Sequence, residues 1–140
     1  MVLKTPLIGL LVVVVVLTAC GSIKEREEIN AFTKASRDYG RMLRWRSYDG
    51  AASFLRARDG APIAVDIAPL KDMRVTAYKI IRSEVRPDED AATVTAMIDY
   101  YNERENRVKT LTDEQDWWYD PASEHWFVDG QLPDFLHKGR

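Results

Sequence analysis

A chain of 140 residues with 20 Lys and Arg against 22 Asp and Glu carries a formal charge of −2. That length suits one domain with its own hydrophobic core and is short for two. Arg37, Arg41, Arg44, Arg46, Arg56, Arg58 and Arg82 lie scattered among acids, which excludes the clustered basic footprint of a nucleic-acid binder. A single cysteine, Cys20, excludes an intrachain disulfide and any cysteine-based zinc cluster.

The chain opens with one positive charge, Lys4, and continues into an unbroken apolar run over residues 7–17. Small residues Thr18 and Ala19 follow, then Cys20-Gly21-Ser22. A basic start, an apolar stretch of about 7–15 residues and a small-residue cleavage region make a secretory signal. A membrane span needs about 20 apolar residues. This run is shorter, and Lys24-Glu25-Arg26-Glu27-Glu28 ends any extension of it. Residues 1–19 are therefore expected to be a signal peptide.

The string Leu17-Thr18-Ala19-Cys20 resembles the lipobox of bacterial lipoproteins. The resemblance implies cleavage between Ala19 and Cys20. It also implies a diacylglycerol on the Cys20 thiol and a further acyl chain, such as palmitate, on the new amino group. Two or more chains anchor a protein stably where one does so marginally. Gly21, rather than aspartate after the cysteine, implies the outer membrane with the domain facing the periplasm.

Residues 20–28 read as a lipidated polar tether, or as the first turn of a helix. Ile29, Phe32, Ala35, Tyr39, Met42 and Leu43 recur at spacings of three and four, one face of a helix ending near Trp45. Gly40 costs such a helix about 1 kcal/mol, so a kink or a close packing contact is expected there. Ser47 or Asp49 can cap a short second helix. Asp59-Gly60-Ala61-Pro62 breaks the pattern, and one helical turn is expected near Pro69. From Met73 the apolar period becomes two. Strands are expected over residues 74–85, 92–102, 107–119 and 125–129, joined by short turns. Short regular connections imply an antiparallel meander, and helices followed by strands imply an α+β domain over residues 29–136, with 137–140 as a tail.

Pairing Val85 with Ala91 and Asn102 with Arg107 places Tyr78, Ile80, Val94, Ala96, Ile98, Tyr100, Leu111 and Trp117 toward the helices. The other face receives Val75, Lys79, Thr95, Asp99, Thr110, Thr112 and Glu114. A slip of one residue would exchange the faces.

Helices followed by a curved four-stranded antiparallel sheet resemble the nuclear-transport-factor-2-like (cystatin-like) superfamily. Lys109-Thr110-Leu111-Thr112-Asp113-Glu114-Gln115-Asp116-Trp117, Tyr119-Asp120, Trp126 and Leu132-Pro133 are similar to small proteobacterial lipoproteins without an assigned activity. The superfamily includes isomerases, dehydratases, ligand binders and assembly modules, so the resemblance implies a cone and selects no activity.

Asp113 is the one candidate catalytic residue. On the helix-facing side, an apolar wall would raise its pKa and make it a usable base, with Tyr78, Tyr100, Gln115 and Trp117 lining a pocket. A carboxylate paired at the sheet rim, with Arg82 for example, fits the same residues. His125 and His137 are the only histidines and form no metal-ligand pattern, so no metal and no cofactor is expected. Adjacent Trp117 and Trp118 must face opposite sides of a strand, which makes Trp118, with Tyr101, a candidate interface. The leading expectation is a non-catalytic envelope module that binds another envelope protein or itself. The alternatives are a binder of a small apolar ligand and an isomerase- or dehydratase-like enzyme using Asp113.

Overall fold

The computed structural model describes the backbone of residues 7–137 and the side chains of residues 21–137. Residues 1–6 of the expected signal, the side chains of Ala19 and Cys20, and residues 138–140 of the tail lie outside that description. The fold is α+β: a long helix and one open four-stranded antiparallel sheet.

Helix α1 (Leu7–Arg44) runs without a break through Gly21, so the tether is helical. The side chains of residues 21–27 are all exposed, and Phe32 is the first to be wholly buried. From there Phe32, Ser36, Tyr39 and Leu43 make the buried stripe that the spacing of three and four requires. The helix stops in a Schellman arrangement, in which the Ser47 N–H donates to Met42 O at 2.9 Å and the Arg46 N–H to Leu43 O at 3.2 Å. Arg46 takes the left-handed conformation (φ 59°) that this motif usually gives to glycine.

The short helix α2 (Tyr48–Ala52) starts at Ser47, whose side chain makes no capping bond. Tyr48 instead ties it to the sheet, donating its hydroxyl to Met73 O at 2.9 Å. A single 3-10 turn over Ala68–Leu70 surrounds Pro69.

Strands β1 (Met73–Arg86), β2 (Ala91–Asn102), β3 (Val108–Asp120) and β4 (His125–Val128) stand in sequence order, each antiparallel to the next. Their ends agree with the sequence expectation to within one residue. The β2–β3 register also agrees, with Tyr101 opposite Val108 and Ala96 opposite Asp113.

The β1–β2 register does not agree throughout. Val85 lies opposite Ala92, not Ala91, and the pairing shifts between Val75 and Ala77 and between Ile80 and Arg82. Each shift inserts one unpaired residue, Thr76 or Ile81, and a bulge reverses the side-chain alternation beyond it. Val75, expected on the outer face, is thereby turned inward and buried, opposite Tyr100. Val85 is turned inward at the other end of the same strand.

The core lies between α1 and the inner sheet face. The Trp117 ring is met edge-on by Phe32 and Tyr39, each at 5.7 Å, and by Phe54 at 6.1 Å. Such edge-to-face pairs add about 0.5–1.5 kcal/mol each to area burial. Phe135 closes the other end against Tyr100 at 5.1 Å and Tyr48 at 6.1 Å. The chain after α2 covers the outer side of β4: the Arg56 N–H donates to Val128 O at 2.9 Å and the Val128 N–H to Phe54 O at 2.8 Å. Among the described residues no helix is long and apolar enough to cross a membrane.

Candidate functional site

Alternation along β3 aims Lys109, Leu111, Asp113, Gln115 and Trp117 at the side of the sheet that faces α1. Their cross-strand neighbours on β2 explain why polar groups fit there. Ala96 lies opposite Asp113 and Ala92 opposite Trp117, and both alanines are buried. Small residues on β2 leave the volume that the larger side chains of β3 occupy.

Gln115 is the hub of this region, buried at 4% exposure. Its Oε1 accepts the Trp117 indole N–H at 3.0 Å. Its Nε2 donates to Tyr78 Oη at 2.9 Å and to Asp113 Oδ2 at 2.7 Å. An indole offers only a donor and an ionised carboxylate only acceptors, so the residue between them needs one acceptor and one donor, and the second amide hydrogen is left for the Tyr78 hydroxyl. Glutamine supplies that set, and glutamate would set a second carboxylate against Asp113.

Tyr78 reaches the hub because α1 carries Gly40 where the strand passes. A Cβ at Gly40 would sit 2.5 Å from the Tyr78 Cε1 atom. Gly40 is therefore a close-packing residue, one of the two roles expected of it. Tyr39, next to it on α1, is fully buried, and its hydroxyl has no hydrogen-bond partner among the described residues.

Burial governs the proton affinities. Desolvation raises the Asp113 pKa, with the Gln115 amide pulling it back down. Desolvation also pushes the Tyr78 phenol up to about 12, with the Gln115 bond lowering it and the Asp113 charge adding to the rise. Tyr39 is raised too, by burial first and then by the charges of Asp113 and Tyr78. All three groups favour the protonated form more than they do in water.

Asp113 also borders an open cleft of about 720 Å³ along the free side of β3. Tyr100, Leu111, Asp113, Lys109, Asp134 and His137 line it with the neighbouring residues of β3. His137 and Asp134 face each other there at 3.1 Å. A carboxyl that resists ionisation, open to solvent on one side and fixed by an amide on the other, is suited to accepting a proton or a hydrogen bond from a ligand. Thr110 and Thr112 add hydroxyls to the cleft beside that of Tyr100, and Thr110 donates to Asp99 Oδ1 at 2.6 Å. Among the described residues no group of three His, Cys, Asp or Glu is placed to hold a metal ion.

Four of the five expected pocket residues, Tyr78, Asp113, Gln115 and Trp117, thus form one connected network. Tyr100 does not join it: it meets Phe135 edge-on and borders the cleft. The partner of Asp113 is Gln115, while Arg82 is exposed. Trp118, on the opposite face, is half-buried; its indole N–H donates to Arg56 O at 2.8 Å and its ring packs on Phe127 at 5.5 Å. Tyr101 is half-buried as well. Sequence reasoning missed Tyr39, which reads as an ordinary core position, and Lys109, Asp134 and His137, which tertiary folding alone brings together. In comparisons with protein-family models, curated proteins and solved structures, nothing matches this chain.

Proposed function

We propose that the chain is a bacterial lipoprotein, held by acyl chains on Cys20. In this reading its α+β domain, of nuclear-transport-factor-2-like type, serves the outer membrane's periplasmic face as a non-catalytic binding or assembly module. The anchor rests on Leu17-Thr18-Ala19-Cys20 after an apolar leader. The exposed helix from residue 21 to 27 is consistent with it: about 18 Å of helix separates Cys20 from Phe32, enough to hold the domain clear of a lipid surface.

The observation that carries the domain half is the filled interior. Phe32, Tyr39 and Trp117, none more than 2% exposed, fill the space between α1 and the inner sheet face. The cleft beside it is lined largely by charged and hydroxyl side chains, a poor match to a small apolar ligand.

Labelling with an alkyne fatty acid in a bacterial host tests the anchor. The native chain should carry label in the membrane fraction, and Cys20→Ser should lose both label and cleavage. Label persisting on Cys20→Ser overturns the reading. A second reading, acid–base catalysis at Asp113, is favoured by one observation, the raised pKa of a carboxyl that borders an open cleft. Asp113→Asn separates the two: a chain that keeps its envelope phenotype is not using that carboxyl as a base.

A further inference from the structure

The two long free edges of the sheet differ. β1 breaks its outer edge with bulges at Thr76 and Ile81, a device that discourages pairing with another chain. β3 has no shift of register with β2 from Val108 to Trp118, and β4 covers only its last four residues.

The direction of the β3 main chain follows from two bonds. The Tyr119 N–H donates to Asp90 O on the β2 side, while Asp116 O accepts from the Asp129 N–H on the other. Alternate residues point opposite ways, so Val108, Thr110, Thr112 and Glu114 aim their N–H and C=O groups away from β2. Among the described residues nothing is hydrogen-bonded to them there. The cleft of about 720 Å³ runs along this edge, lined by residues 107–113 without a break.

We infer that residues 108–114 of β3 pair with the same segment of a second copy of this chain, antiparallel about a two-fold axis at Leu111. The text Lys109-Thr110-Leu111-Thr112-Asp113 reads as complementary to its own reverse, with Val108 and Glu114 flanking it. In that register Lys109 lies opposite Asp113, Thr110 opposite Thr112, and each of these pairs occurs twice. Opposite charges and paired threonines are favourable cross-strand neighbours. A two-fold interface requires such self-complementarity, residue i meeting j and j meeting i. A register centred on Thr112 would set Val108 against Asp116, whose carbonyl is already bonded to Asp129; one centred on Leu111 uses the free groups alone. The inference stands on the strand edge and is independent of the anchor.

Cysteine cross-linking of the full chain in cells tests it. The Leu111 pair is not a hydrogen-bonded one, and its Cα atoms would be about 4.5 Å apart, within the reach of a disulfide. Leu111→Cys should give a disulfide-linked dimer on mild oxidation. Lys109→Cys should give less than a tenth of that yield, because its own mate lies about 14 Å along the strand. Adding Thr112→Pro, which removes an outward N–H, or Lys109→Asp, which sets like charges opposite, should lower the Leu111→Cys yield several-fold. The native chain controls for the Cys20 thiol. Four results would overturn the proposal. They are equal yields at 109 and 111, no dimer at 111, a dimer indifferent to both added substitutions, and adducts to a different protein in place of the dimer.

Discussion

Gly40→Ala tests the contact that sets the distance between α1 and β1. The new Cβ would lie 2.5 Å from Tyr78 Cε1 and 2.6 Å from Cδ1, where carbon atoms prefer about 3.5–4.0 Å. The ring has little room to withdraw, because its hydroxyl is tied to Gln115 Nε2 at 2.9 Å. Alanine favours the helix by about 1 kcal/mol over glycine. Against this stand an overpacking cost of about 1–3 kcal/mol and the loss of the Tyr78–Gln115 bond, about 1 kcal/mol. The net expectation is destabilisation by about 1–3 kcal/mol. Urea denaturation of the full chain, with an unchanged slope, measures it. The same substitution in a Tyr78→Ala background has no ring to meet and should then stabilise, by up to about 1 kcal/mol. If Gly40→Ala raised the midpoint in the native background, the close approach would not be what fixes glycine there.

Asp113→Asn should stabilise the fold at neutral pH. The folded carboxyl has the higher pKa, so the native state binds more protons than the unfolded chain as pH falls from neutral, and its stability drops as pH rises through that range. The advantage of asparagine should vanish below the ordinary carboxylate value of 3.8, and parallel curves for both proteins from pH 7 to pH 3 would refute it. Tyr39→Phe removes a buried hydroxyl without a partner and should leave stability equal or up to about 1 kcal/mol higher; a thermal melt showing a clear loss would mean the hydroxyl is satisfied. Glu124, exposed and at φ 56° in the β3–β4 turn, is strained for a side-chain-bearing residue. Glu124→Gly should therefore gain about 0.5–1 kcal/mol, read as a higher melting temperature.

The strand ends were legible because their signals are local: alternation of apolar residues bounded by Pro87, Asn102 and Asp120-Pro121. The two bulges were harder, since nothing in Val75-Thr76-Ala77 or Ile80-Ile81-Arg82 marks an unpaired residue. One trace does exist. The inward apolar positions of β1 are odd at Val75, even at Tyr78 and Ile80, and odd again at Val85, a double change of parity that a single flat register cannot satisfy. The Asp113–Gln115–Trp117 chain was legible because residues two apart on a strand share a face. Tyr39 was not, because whether its hydroxyl finds a partner depends on the helix-to-sheet distance, which Gly40 and Tyr78 set from different elements.

Asp113 is where stability and chemistry diverge. Its neighbours on the inner face, Val94, Ala96 and Ile98, are buried apolar groups, and an apolar side chain among them would carry no desolvation cost. Among the described residues the carboxyl is held by one amide, that of Gln115, and that amide is shared with Tyr78. Full pairing by an arginine would have lowered its pKa; burial with a single neutral donor raises it. On packing grounds alone this is a poor choice of residue, and its justification must come from what enters the cleft. Under the strand-pairing proposal that visitor is Lys109 of a second copy, which would supply the missing positive charge. Dimer formation and a fall in the Asp113 pKa should then be linked: the pH dependence of stability should weaken as protein concentration rises, whereas a base reserved for a small substrate would show no such dependence.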